Sequence, residues 1–234
     1  MSSVFRFKQF SVDQSNCAMK INTDGVLLGA MASAENPKTI LDIGTGTGVI
    51  ALMLAQRFQN SKIDAVEIDP ASAKTAKQNF LNSQYAERLI LYAIDIEDFW
   101  LQKPHHYDLI VSNPPFYLDT LTSPQENKTL AKHATADFFE KLLDSVPDFL
   151  SLKGSFWLIL PPKTALIVKK LAAKLYLQTE IAVSSFENDL PHRYLLSFGF
   201  NQTKTETASF IIYKNPKVYS DDYEKLLKDF LTIF

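Results

Sequence analysis

A single cysteine, Cys17, stands among 234 residues, so neither a disulfide framework nor a cysteine-built metal site can be assembled. The four histidines, His105, His106, His133 and His192, show no paired helical spacing with a carboxylate, which argues against a catalytic metal. No apolar run approaches the roughly 18 residues of a membrane span. Met1 to Lys8 lack the apolar core of a signal peptide, so the cytoplasm is the expected compartment. Excess charge is missing too: the net charge of −2 argues against a general nucleic-acid coat protein. Glycine is scarce at seven residues, yet three of them fall at 44, 46 and 48.

What is present is apolar surface. A hydrophobic share of 46% with 12% aromatics supplies a full core and makes global disorder a poor description. The length suits one large domain, or one with an appendage. Charge is uneven: residues 161–217 carry eight basic residues (Lys163, Lys169, Lys170, Lys174, Arg193, Lys204, Lys214, Lys217) against four acids. Such a stretch can form a local phosphate-holding face, or only a solvated one.

Phe5, Phe7 and Phe10, set among Arg6 and Lys8, read as a short strand or arm. Thr23 and Asp24 precede a short helix from Gly25 as its cap. From residue 38 strands and helices alternate. Strands are expected over 39–43, 63–67, 89–94, 109–112 and 155–160, and helices over 49–58, 70–81, 136–150 and 163–176, with Pro147 kinking or ending the third of them. This alternation predicts a parallel sheet covered on both faces. After 177 three strands without helices between them, at 181–183, 194–200 and 208–213, predict antiparallel pairing at one edge, and a last amphipathic helix spans 221–230. The polar segment 118–131 reads as a loop beside the site.

Asn113-Pro114-Pro115-Phe116 follows the apolar run 107–111, with only Ser112 between them. The Asn113 amide oxygen can accept a hydrogen bond from an exocyclic amine. The prolines fix the loop and offer only carbonyl acceptors, and Phe116, with Tyr117, can stack on a base. Upstream, Asp42-Ile-Gly44-Thr-Gly46-Thr-Gly48 lacks the third-glycine spacing of a dinucleotide fold and the Lys-Ser/Thr of a phosphate loop. Glu67, nineteen residues after Gly48, stands at the end of the second strand in Glu67-Ile-Asp69-Pro70 and can take both ribose hydroxyls of a nucleoside cofactor. Asp95, expected to end the third strand, can accept from an adenine amine, with Ile94 and Ile96 packed on the ring. Asp42, Gly44, Gly46, Gly48, Glu67, Asp69, Asp95, Ile96 and Asn113 thus form the expected cofactor set for S-adenosyl-L-methionine.

These motifs resemble the class I methyltransferases that modify exocyclic or amide nitrogens. Phe7-Lys8-Gln9-Phe10, Cys17-Ala-Met19-Lys20, Thr23-Asp24-Gly25, Pro191-His192-Arg193, Tyr219-Ser220 and Asp229-Phe230 extend the likeness over nearly the whole chain, to the bacterial tRNA1(Val) adenine-N6-methyltransferase family. The resemblance implies an α/β, Rossmann-like fold: a mostly parallel seven-stranded sheet, helices on both faces, an antiparallel edge and a short N-terminal extension. It implies one methyltransferase domain, with residues 1–35 as a cap and 36–234 as the catalytic core. It places Lys20, Thr23 and Asp24 near the methionine part of the cofactor, and makes the substrate adenine 37 of tRNA, beside the anticodon.

For the chemistry, Asn113 and the Pro114 carbonyl would take the two amine protons, and Phe116 would stack on a base turned out of the loop. Lys128, Lys132, His133 and Arg193 are candidates for RNA phosphates. Two sister activities share the motif: methylation of a protein glutamine amide, as in a release factor, and of guanine N2 in rRNA. A nicotinamide oxidoreductase is disfavoured by the glycine spacing. A non-catalytic RNA-binding module would have no use for Glu67 and Asp95.

Overall fold

The computed structural model describes residues 3–15, 17, 19–103, 105–114 and 125–234, with side chains described outside 125–135. The elements run β1 (Val4–Arg6), β2 (Ser11–Asp13), α1 (Thr23–Met31), β3 (Thr39–Ile43), α2 (Val49–Arg57), β4 (Lys62–Val66), α3 (Pro70–Leu81), β5 (Leu89–Tyr92), α4 (Ile96–Gln102), β6 (Tyr107–Ser112), α5 (Gln125–Phe149), β7 (Leu150–Leu160), α6 (Pro162–Leu171), β8 (Tyr176–Ser184), β9 (Arg193–Gly199), β10 (Glu206–Ile211), β11 (Tyr213–Asn215), β12 (Val218–Tyr219) and α7 (Asp221–Leu227).

The main sheet has the order β10-β8-β9-β7-β6-β3-β4-β5. Strands β3 to β7 are parallel, and β9 lies antiparallel between β7 and β8. From β3 the chain moves outward through β4 to β5, then returns to the other side of β3 as β6. The order therefore reverses between β3 and β6, where an open α/β sheet forms its ligand crevice.

Successive strand residues face opposite sides, and the two cores follow that period. Ile40, Leu109, Val111, Trp157 and Ile159 pack against α1, α2, α3 and α7, with Phe7, Phe10 and Val12 of the N-terminal arm in the same cluster. Leu41, Ile110, Phe156 and Leu158 pack against α4, α5 and α6 on the other face. Two arginines close helix ends across this frame. Arg57 donates to Gly29 O (2.9 Å) and Ala32 O (2.6 Å) at the end of α1. Arg88 donates to Ala55 O (2.7 Å), Phe58 O (3.0 Å) and Ser61 O (2.9 Å) after α2. Gly29 O and Ala55 O are carbonyls that a helix end leaves without an intrahelical partner, and the other acceptors lie just beyond the helix ends.

Several expectations need correction. The main sheet has eight strands rather than seven, because β10 adds to β8 in parallel, so the edge is only partly antiparallel. The segment expected as a loop to residue 131 is helical from Gln125. Pro147 sits in the last turn of α5, two residues before its end at Phe149, in keeping with the expectation that it ends the helix. Helix α6 stops at Leu171 and residue 176 already begins β8, so the helix over 163–176 is too long. The cap of α1 is Asn22, whose side chain accepts from Gly25 N, while Thr23 and Asp24 lie within the first turn. Of the eight basic residues in 161–217, four sit in ion pairs: Lys169 with Glu180, Lys174 with Asp144, Arg193 with Asp24 and Lys214 with Asp221. The basic face is correspondingly weaker than the bare count suggests.

Candidate active site

β3 delivers the chain into the turn Gly44 to Gly48, and all three glycines have positive φ, at 71°, 56° and 83°. The turn is fastened to the end of β4 by bonds from Gly44 N and Thr45 N to Val66 O, at 2.9 and 3.0 Å. A Cβ on Gly44 or Gly46 would meet open space, so these two present bare backbone, whereas one on Gly48 would fall 2.5 Å from Phe80 Cε1. Gly48 is thus required by packing as well as by its dihedral.

Glu67 directly follows β4 and is buried. Its Oε2 accepts from Gly46 N and its Oε1 from Asp69 N, both at 2.8 Å. Each carboxylate oxygen retains acceptor capacity beyond one such bond. Asp69 caps α3 by accepting from Ser72 N at 2.8 Å, and the Ser72 hydrogen bonds hold its carboxyl below the usual range. Asp95 lies three residues beyond the end of β5, not at a strand end as expected; it caps α4, accepting from Glu97 N at 2.7 Å. Asp42 stands apart. It is fully buried within β3 and its Oδ2 accepts from Thr45 Oγ1 at 2.6 Å. Burial pushes its carboxyl up to about 7.

A cavity of about 570 Å³ opens over these strand ends. Gly44, Gly46, Glu67, Asp69, Asp95, Ile96, Asn113 and Pro114 all line it, as the sequence led one to expect, whereas Asp42 and Gly48 lie behind it. Asn113 Oδ1 is one of three buried side-chain polar atoms without a hydrogen-bond partner among the described residues. Because buried polar atoms are nearly always paired, an unpaired acceptor on a residue that lines the cavity is a candidate partner for a donor brought by a ligand. Sequence reading missed Met19, Ile43, Val66, Ile68, Ser72, Ser112 and Phe138 as parts of the wall. Ile68, directly after Glu67, is 66% exposed and lines the cavity.

Lys20 and Thr23 are exposed and outside the cavity wall, while Asp24 is buried and bonded to Arg193 Nε at 2.7 Å. Phe116 and Tyr117 lie outside the described residues, as do the side chains of Lys128, Lys132 and His133 on α5. No helix among the described residues is long and apolar enough to cross a membrane, and no group of three or more described His, Cys, Asp or Glu side chains gathers as a metal site.

The methyltransferase small domain family model matches residues 17–180. A tRNA1(Val) (adenine(37)-N6)-methyltransferase of Pedobacter heparinus is 46% identical over 237 aligned positions, covering 100% of both chains. The chain belongs to this methyltransferase family. A relative of the same description from Bacteroides thetaiotaomicron is 39% identical and covers 97% of this chain and 96% of its own. Among solved structures, one described as a predicted O-methyltransferase of Agrobacterium tumefaciens superimposes with a TM-score of 0.69, at 15% identity, over 88% of this chain and 96% of its own; that likeness bears on the fold. The methyltransferase uses S-adenosylmethionine, and its residues fit that group. The cavity is of cofactor size. Two glycines let the main chain approach closely, the Glu67 carboxylate directly follows β4, and Ile68, Ile94, Ile96 and Asp95 line the cavity beside it.

Proposed function

We propose that this chain methylates the exocyclic N6 amine of adenine 37 in tRNA1(Val), docking the anticodon stem-loop, in the cytoplasm. We read it as one methyltransferase domain with residues 1–35 as a cap. The observation that carries the reading is that Asn113 lines the cavity and its buried Oδ1 has no hydrogen-bond partner among the described residues. The full-length likeness to relatives described as acting on that base supports the choice of substrate.

The cofactor, when bound, supplies a methyl group on a positively charged sulfur. Glu67 holds the ribose hydroxyls, Asp95 takes the adenine amine, Ile94 and Ile96 pack on its ring, and Gly44 and Gly46 admit the methionine end. The acceptor amine is a poor nucleophile, because its lone pair is shared with the base. Asn113 Oδ1 and the Pro114 carbonyl accept hydrogen bonds from its two N–H groups and favour a pyramidal nitrogen. These contacts tighten as positive charge develops on nitrogen, and that difference accelerates the step. Phe116 and Tyr117 stack on the base, and Lys128, Lys132 and His133 meet phosphates.

The test is transfer of labelled methyl to total tRNA lacking the modification, followed by nucleoside analysis. Label in N6-methyladenosine is the expected result. Label in guanosine, or in protein glutamine, would overturn the reading.

A further inference from the structure

Asp24 lies in the first turn of α1, where a carboxylate is favoured by the helix amides. It is buried, and its Oδ2 accepts from Arg193 Nε at 2.7 Å across 169 residues of sequence. Arg193 opens β9, and its Nη1 donates to His192 O at 2.7 Å. Two guanidinium nitrogens are thus committed to protein acceptors. The residue after Asp24 is Gly25, held by the Asn22 cap. A Cβ at Gly25 would stand 3.8 Å from Asn113 Nδ2 and 3.6 Å from Val49 Cγ1. The first turn of α1 therefore runs beside the Asn113 carboxamide, with room for about one methyl between them.

We infer that the Asp24–Arg193 ion pair is a positioning pair for the methyl acceptor: it ties the first turn of α1 to the start of β9 and thereby sets the Asn113 carboxamide. The inference rests on the amine-holding role of Asn113 given above. It moves Asp24 away from the cofactor's methionine end and Arg193 away from RNA phosphate. Removing one partner breaks the link between the two elements and leaves the other side chain to rearrange, which lets the turn shift. A displacement near 1 Å at a reacting group is enough to slow a well-aligned step severely.

Asp24→Asn, Arg193→Ala and Arg193→Lys are compared with the parent as full-length proteins. Calorimetric titration with S-adenosylmethionine counts intact sites, so kcat is expressed per folded site. The expected result is a fall in kcat of about 10- to 100-fold for the first two variants, with KM for unmodified tRNA and cofactor Kd within about 3-fold of the parent. Arg193→Lys, which keeps the charge, recovers part of the loss. Should Asp24→Asn give no intact sites, Asp24→Glu displaces the carboxylate by one methylene and is read the same way.

Unchanged kcat in these variants overturns the proposal. So does an Arg193→Ala protein whose KM rises while the salt dependence of RNA binding drops by about one ion, the mark of a phosphate contact. The kcat ratio is read on whichever acceptor carries label, so a guanine or glutamine product would sink the adenine assignment while leaving this test intact.

Discussion

Glu67 Oε2 accepts the Gly46 amide at 2.8 Å, so the acid after β4 fixes the glycine turn after β3. Its other oxygen holds the Asp69 amide, which leads into α3. One carboxylate therefore shapes two loops of the cofactor cavity while also standing in its wall.

Glu67→Ala removes both functions. Charge-assisted bonds of this kind contribute about 1.5–3 kcal/mol each, so cofactor affinity is expected to fall by at least about tenfold on a scale where 1.4 kcal/mol is one decade. Calorimetric titration with S-adenosylmethionine reads it. An unchanged Kd would remove Glu67 from the ribose site.

Asn113→Ala deletes the buried, unpartnered acceptor of a residue that lines the cavity. Loss of one preorganised polar contact to a developing charge typically costs about 2.7–4 kcal/mol of barrier, or 10²- to 10³-fold in kcat. Cofactor Kd should stay close to that of the parent, because the proposed contact is made to the acceptor base. Single-turnover transfer to tRNA separates the two, and normal turnover would refute the amine-holding role.

Gly48→Ala is expected to destabilise the fold rather than the chemistry. The residue has φ +83°, and the new methyl would meet Phe80 Cε1 at 2.5 Å. Left-handed backbone costs an L-residue about 1–2 kcal/mol, and forced overpacking adds about 1–3 kcal/mol. Urea denaturation should show a loss of about 2–5 kcal/mol from these two sources. Gly44 and Gly46 face open space, so alanine there would lack the clash.

These contrasts also mark how far the sequence could be read. Glu67, Asp95 and Asn113 were recognisable because each follows an apolar strand segment, and a parallel sheet gathers such ends along one edge. The edge strand β10 was not assigned correctly, since three strands without helices leave pairing direction open. Helix α4 escaped notice because its seven residues are too few to show a helical period. The cap of α1 was misplaced by one residue: Asn22, Thr23 and Asp24 can all cap, and only the backbone decides among them. The Asp24–Arg193 pair joins positions 169 apart, and no local pattern encodes such a contact. Asp42 was read as part of the cofactor set from its place in the glycine motif, yet strand β3 buries it behind the cavity wall.

That burial gives Asp42 a pH signature. Its carboxyl is pushed by desolvation to about 7 from 3.8, with Thr45 as hydroxyl partner. The folded state therefore binds a proton more tightly than the unfolded chain. Between pH 4 and 7 the folded form holds more protons at this site, so its contribution to stability falls as pH rises and levels off above about 7. Asp42→Asn cannot ionise and should abolish that slope. An unsatisfied donor at the site would lower stability equally at each pH, so the readout is the change with pH. Denaturation midpoints measured from pH 5 to 8 should show the variant gaining on the parent as pH rises. A difference that stays constant across the range would mean that Asp42 is ionised throughout and that its carboxylate is compensated within the fold.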